Sequence, residues 1–199
     1  MTAAGAISAA KALEPGYFDA LYAADADPWR FATSAYEDAK YAATLAALPC
    51  PRYAEAVEVG CSIGVLTARL AARCDRLLGL DVAGAALDAA RARCAGLANV
   101  AFARSTLPDV VPDGRFDLIM LSEVVYYFDA AGVLRLADAA RRMAAPGATI
   151  MLVHWLGPTP DYPLTGDEAV TAFLAAASWA TVGEQARMPE YRLDVLRAK

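Results

Sequence analysis

The run Ala56-Val57-Glu58-Val59-Gly60-Cys61-Ser62-Ile63-Gly64 ends an apolar strand pattern on small residues and passes directly into a helical one. Seventeen residues after Gly64, Asp81 closes a second strand pattern. Glycine lacks a Cβ and tolerates φ > 0, so Gly60 and Gly64 mark places where a ligand can meet backbone. An acidic residue ending the neighbouring parallel strand faces the same crevice, where it accepts hydrogen bonds from a ribose. The pair predicts a nucleoside site, with Glu58, Cys61 and Val82 flanking its contact points. A diphosphate carrier is poorly served, because the spacing is not G-x-G-x-x-G and no basic residue lies between Gly60 and Thr67.

Other residues carry chemistry of their own. His154 is the only histidine and ends an apolar strand pattern. With an ordinary pKa near 6.5 it is either a general base or a hydrogen-bonded strand end. Trp29, in the loop Asp27-Pro28-Trp29-Arg30-Phe31, either covers a ligand whose positive charge its ring attracts or packs as a hydrophobic staple. Asp161 and Tyr162 either hold a sugar or form a turn before a helix capped by Thr165 or Asp167.

The elements that position these groups follow from patterning. Strands over Ala54–Val59, Arg76–Asp81, Val100–Arg104, Phe116–Ser122 and Thr149–His154 alternate with helices over Val65–Cys74, Ala83–Cys94 and Ala130–Met143. Such alternation predicts an α/β fold with helices on both faces of a parallel sheet. A further helix over Asp167–Ser178 precedes two strands, Trp179–Ala186 and Tyr191–Arg197, predicted as an antiparallel hairpin at the sheet edge. Ahead of the sheet, two helices between Tyr17 and Leu48 around the Trp29 loop predict a cover over the crevice. The expected organisation is one domain over 1–199, with a helical lid over 1–52, a cofactor-binding core over 53–155, and an acceptor-side loop, helix and hairpin over 156–199.

Composition narrows the classes. The 199 residues are 58% hydrophobic and 21% charged, enough apolar content for a substantial core. Net charge is −5 and the arginines are scattered along helix faces, which disfavours a nucleic-acid partner. The apolar stretch from Ala169 to Val182 is too short to span a bilayer, and the segment before Tyr17 does not resemble a secretory signal. A cytoplasmic protein, monomeric or weakly dimeric, is expected. Four cysteines without paired spacing and one histidine predict neither zinc nor a disulfide scaffold.

Glu58-Val-Gly-Cys-Ser-Ile-Gly64, Leu77-Leu-Gly-Leu-Asp81, Phe116-Asp-Leu-Ile-Met-Leu-Ser-Glu123 and Pro146-Gly147, in that order, resemble the class I S-adenosylmethionine-dependent methyltransferases over roughly residues 53 to 155. Asp27-Pro-Trp29-Arg30-Phe31 with Tyr36-Glu37-x-x-Lys40-Tyr41, and Glu123-Val-Val-Tyr126-Tyr127, are similar to the nodulation protein S type, whose members N-methylate an amino sugar of a chitin-like oligosaccharide. The resemblance implies a Rossmann-like, mostly parallel seven-stranded sheet with an antiparallel C-terminal hairpin and an N-terminal lid. It also implies S-adenosyl-L-methionine as cofactor, held by Trp29, Lys40, Glu58, Gly60, Cys61, Gly64, Asp81, Val82, Ser105, Thr106, Leu107 and Ser122. Glu58 then orders the loop or meets the methionine ammonium through water, while Ser105, Thr106 and Leu107 cradle adenine.

Methyl transfer from a sulfonium needs positioning and a free lone pair on the acceptor more than covalent help. On this reading Glu123 or His154 receives the acceptor's proton, and Glu123, Tyr126, Tyr127, His154, Trp155, Asp161 and Tyr162 surround a small-molecule acceptor. The expected function is N-methylation of an amine on a sugar. The alternatives are O-methylation of a small hydroxyl-bearing metabolite and a non-catalytic S-adenosylmethionine-binding module.

Overall fold

The computed structural model describes residues 11–199. Its centre is a seven-stranded sheet: β1 Tyr53–Val59, β2 Cys74–Asp81, β3 Val100–Arg104, β4 Phe116–Ser122, β5 Ala144–Trp155, β6 Ala180–Arg187 and β7 Tyr191–Ala198. The strand order is β3-β2-β1-β4-β5-β7-β6, with β7 antiparallel to both β5 and β6 and every other pair parallel. This is the mostly parallel sheet with an antiparallel end that the patterning predicts. Chain direction across the sheet reverses between β1 and β4, and a crevice at the carboxyl ends of two such strands is where open α/β sheets bind ligands.

Six helices accompany the sheet: α1 Pro15–Ala24, α2 Ala35–Ala46, α3 Val65–Leu70, α4 Gly84–Arg93, α5 Ala130–Met143 and α6 Gly166–Ala176. Each has a local cause. In α5, Asp129 Oδ1 accepts the Gly132 amide at 2.7 Å, and Val133, Leu136, Ala137, Ala140 and Met143 form a buried stripe at helical spacing. Thr165, not Asp167, caps α6, exchanging hydrogen bonds with Glu168 in a capping box. Alternate residues of β1 and β4 feed opposite cores: Val57, Val59, Ile119 and Leu121 pack on the α5–α6 side, and Ala56, Leu118 and Met120 on the other.

Most boundaries shift by two residues or fewer from those predicted, and two shift by four or more. The helix predicted over Val65–Cys74 stops at Leu70, and Ala71–Arg73 tightens into a 3-10 turn. The Asn99 side chain holds the carbonyls of Ala71 and Cys74 at 2.9 Å, and Cys74 already pairs with Tyr53 in the sheet. The strand predicted from Thr149 begins at Ala144, because Ala144 pairs with Phe116 ahead of a register break that contains Pro146 and Gly147. Of the residues 1–52 expected to form a lid, those described from residue 11 hold α1, the Trp29 loop and α2. The first ten residues lie outside the described part. The Leu13 amide donates to the Tyr127 carbonyl at 2.9 Å, fastening this segment across the crevice. Among the described residues no helix is long and apolar enough to cross a membrane.

Candidate active site

The loop from β1 to α3 is a tight hairpin of backbone whose amides point back into the protein. Gly60 and Cys61 donate to the Leu80 carbonyl at 2.8 and 2.9 Å, Ser62 to Asp81 Oδ2 at 2.8 Å, and Gly64 to the Cys61 carbonyl at 2.9 Å. Gly60, Ser62 and Gly64 all have positive φ, at 74°, 50° and 77°. The consequence is chemical: these loop amides do not form a cradle for phosphate oxygens, and the helix that follows has only six residues. A Cβ on Gly60 would lie 3.2 Å from Val124 Cγ2, so glycine is needed here for both conformation and space.

Beneath the N-terminal segment this loop borders an inner cavity of about 370 Å³. Trp29, Glu58, Gly60, Cys61, Asp81, Val82, Ser105, Thr106, Leu107 and Ser122 line it, so ten of the residues expected at the cofactor share one wall system. Asp81 holds the Ser62 and Ala83 amides through separate oxygens, at 2.8 and 2.9 Å. Each oxygen keeps a lone-pair site for a further donor. Burial pushes its carboxyl above the ordinary range, against the pull of the Ala83, Ser62 and Val82 amides. Glu58 is more isolated. Its Oε2 accepts only the Thr67 hydroxyl at 2.6 Å, and burial pushes its pKa up to about 8. Two buried carboxyl groups without a basic partner suit a ligand bearing hydroxyl donors at one end and an ammonium at the other. The adenosyl and amino-acid ends of S-adenosylmethionine meet that description, whereas a diphosphate would face two acidic groups without a basic partner.

A second, outer cavity of about 400 Å³ adjoins the first. Trp29, Phe31, Glu123 and Tyr127 line both, so they form the wall across which the two contents would meet. Tyr126, Trp155, Asp161 and Tyr162 also line the outer cavity, which thus gathers the expected acceptor set apart from His154. Its aromatic rings support one another: Tyr162 stacks on Tyr126 with centroids 5.2 Å apart and meets Tyr127 edge-on at 4.8 Å. Trp29 Nε1 donates to Tyr162 Oη at 3.3 Å, tying the N-terminal segment to the loop after β5.

Glu123 sits at the join with φ of 54°, a strained conformation for a residue that is not glycine, of the kind that clusters at functional sites. Its Oε1 lies 2.5 Å from Lys40 Nζ, and its Oε2 accepts Tyr126 Oη at 2.7 Å and the Trp155 amide at 2.9 Å. Burial alone would raise its pKa, but the Lys40 ammonium, His154 and the Tyr126 hydroxyl together outweigh this and hold the carboxyl below its ordinary value. Glu123 is therefore an anion that orients neighbours, and a weak proton acceptor.

Three residues expected at the site are placed elsewhere. His154 lines neither cavity: it is fully buried, its Nε2 accepts the Val125 amide at 3.1 Å, and burial depresses its pKa to about 4. A ring whose only acceptor nitrogen is already used has no lone pair for a substrate proton, so it cannot serve as the base expected of it. Lys40 faces the outer cavity and is consumed by Glu37 and Glu123, so it does not reach the inner one. Gly64 packs against α4, where a Cβ would lie 3.0 Å from the Cα and Cβ of Ala90. Its role is helix packing and not contact with a ligand.

The sequence reading also left residues out. Phe18 and Tyr22 of α1 line the inner cavity, and Tyr22 Oη lies 2.5 Å from Ser62 Oγ. Their i, i+4 spacing in an aromatic-rich helix was the available signal. Tyr36 and Glu37 line the outer cavity, and nothing in their spacing separates them from an ordinary first turn behind the Ser34 cap.

The sheet order, the crevice at the β1/β4 reversal and the paired cavities define the fold of a class I methyltransferase. A sequence profile described as nodulation protein S (NodS) matches residues 20–150, and the chain belongs to that family. It is 36% identical over 127 residues to nodulation protein S of Rhizobium tropici, covering 63% of this chain and 53% of the relative. To that of Bradyrhizobium diazoefficiens it is 34% identical over 129 residues, covering 63% and 61%. The chain thus spans little more than half the length of these curated relatives. In three dimensions it is similar to the N-methyltransferase NodS of Bradyrhizobium japonicum WM9, solved with S-adenosyl-L-homocysteine. That likeness has a TM-score of 0.81 at 23% identity and covers 92% of this chain and 97% of the other. A candidate methyltransferase from Pseudomonas syringae is 37% identical, with a TM-score of 0.71 over 81% of this chain and 98% of the other.

Proposed function

We propose that the protein is an S-adenosylmethionine-dependent methyltransferase that N-methylates an amine of a small acceptor, an amino sugar or short oligosaccharide being the class of choice. The observation that carries this reading is the inner cavity, where loop amides are turned inward and two carboxyl groups, Asp81 and Glu58, face the space without a basic partner. S-adenosylmethionine, when bound there, supplies a methyl group on a cationic sulfur. Asp81 accepts ribose hydroxyls, Glu58 answers the ammonium, and Ser105, Thr106 and Leu107 border the base. Phe18, Tyr22 and Trp29 exclude water from above. The aromatic walls of the outer cavity offer apolar faces on which a sugar ring stacks, and Asp161 offers a carboxylate to its hydroxyls.

Amine acceptance is favoured over O-methylation by what the outer cavity lacks. A neutral hydroxyl needs a strong base at hydrogen-bond range, whereas Glu123 is held ionised below its ordinary value, Glu37 is a carboxylate and too weak a base for a neutral hydroxyl, and His154 is sealed away. An amine brings its own lone pair. The second cavity, walled by the same Trp29 and Tyr127 that border the first, also weighs against a binding module without turnover.

The test is a calorimetric titration of S-adenosylhomocysteine against wild type and Asp81→Ala, followed by a mass-resolved screen of amine and hydroxyl acceptors with methyl-labelled cofactor. Hydrogen bonds to a charged group are worth about 1.5–3 kcal/mol, so Asp81→Ala should bind at least about tenfold more weakly. Absence of binding to the wild type, or label appearing only on oxygen, would remove the reading.

A further inference from the structure

The outer cavity holds three buried charged side chains whose charges do not balance. Lys40 Nζ lies 2.9 Å from Glu37 Oε1 and 2.5 Å from Glu123 Oε1, so one ammonium serves two carboxyl groups. Glu123 uses its other oxygen on Tyr126 and on the backbone of Trp155. Glu37 does not. Its side chain is only 9% exposed, it lines the cavity, and its Oε2 is buried without a hydrogen-bond partner. The Tyr36 hydroxyl lines the same space and is likewise buried and unpartnered.

A buried acceptor oxygen left unpaired costs free energy that a donor from a ligand would recover. A cationic donor recovers most, because it also cancels the surplus negative charge. The rings of Tyr36, Trp155, Tyr126 and Tyr162 add faces that attract a cation. Neither feature would reward a neutral hydroxyl to the same degree.

We infer that the outer cavity takes its ligand as an ammonium, and that Glu37 Oε2 both docks that ammonium and receives its proton. The inference rests on the reading of this cavity as the methyl-acceptor site. In the step, R–NH3+ and the Glu37 carboxylate become R–NH2 and the Glu37 carboxylic acid. One N–H bond breaks, one O–H bond forms, and the electron pair stays on nitrogen, leaving it nucleophilic. Of the two carboxyl groups, Glu37 has an oxygen without a partner at hydrogen-bond distance, and burial raises its proton affinity above that of an ordinary glutamate against the pull of Lys40 and the Tyr41 hydroxyl. The titratable groups facing it are Tyr36, Lys40 and Tyr41 from α2 and Glu123 from beyond β4.

D-glucosamine and D-glucose, which differ by an ammonium in place of one hydroxyl, are the probes. Each is titrated into the S-adenosylhomocysteine complex. The wild type should prefer glucosamine by about tenfold or more, and Glu37→Gln, which keeps the shape of the side chain, should lose that preference while holding S-adenosylhomocysteine unchanged. Equal binding of the two sugars, binding of neither, or a preference that survives in Glu37→Gln overturns the inference. Should the glutamine variant not fold, the wild type still decides. Its preference for glucosamine should diminish as pH is lowered and Glu37 takes up its own proton, and a preference that persists unchanged until the protein unfolds in acid overturns the inference. Failure of the wild type to hold S-adenosylhomocysteine removes the functional reading and the inference together, whereas loss of the amine preference alone leaves the functional reading standing.

Discussion

Glu58 is a buried carboxyl group with one hydroxyl donor and no cation beside it. The folded chain keeps it protonated up to about pH 8, while the unfolded chain releases the same proton near the ordinary value of 4.5. Between those limits the folded state binds more protons, so this group lowers stability as pH rises through the window and adds no further loss above it. Glu58→Gln keeps the shape without the titration. The melting temperature of the wild type should therefore fall relative to that variant as pH is raised from about 5 to about 8.5, and a difference that stays constant would mean that Glu58 is not desolvated. Glu58 and Asp81 were legible in the sequence because each lies within one residue of the end of a strand whose direction is fixed by its apolar run. Glu37 was not, since a glutamate three residues after a capping serine reads as helix-start chemistry. His154 was misread for a different reason. The sequence shows a histidine at a strand end but not the Val125 amide that occupies its ring nitrogen.

The turn into α3 shows how one residue serves two elements. Gly64 caps α3 in the left-handed region and lies against Ala90 of α4. An alanine there meets the cost of that conformation, about 1–2 kcal/mol, and pushes on α4 backbone as well. Gly64→Ala should destabilise the fold by roughly 2 kcal/mol or more in urea denaturation. Gly96→Ala, with nothing within 4 Å of its Cβ, should change stability by less than about 0.5 kcal/mol. Equal effects would show that the α3–α4 contact is not tight. Most elements were readable at this scale, because buried parallel strands and striped helices such as α5 carry strong periodicity. The early end of α3 and the early start of β5 were not, since both depend on partners distant in sequence: the Asn99 side chain for the first and Phe116 for the second.

At the scale of the molecule, alternation of strands and helices made the sheet and its antiparallel end predictable, and with them the location of the crevice. What alternation does not encode is that the crevice is partitioned. The partition is built by Trp29 and Phe31 from the N-terminal segment together with Glu123 and Tyr127 from beyond β4. The segment bearing Trp29 and Phe31 also closes the inner cavity from above through Phe18 and Tyr22, and Leu13 fastens it to Tyr127. The expected route of exchange for a ligand of the inner cavity is a lifting of this segment.

Lifting it takes Trp29 and Phe31 away from the outer cavity too, so an acceptor cannot be retained while the donor is exchanged. Turnover should accordingly follow a compulsory sequence in which the methyl donor arrives first and its demethylated remnant departs last. Product inhibition reads this directly: S-adenosylhomocysteine should compete with the donor while the methylated acceptor competes with neither substrate, and competition between the methylated acceptor and the acceptor, the random-order pattern, would mean that the dividing wall belongs to the sheet alone.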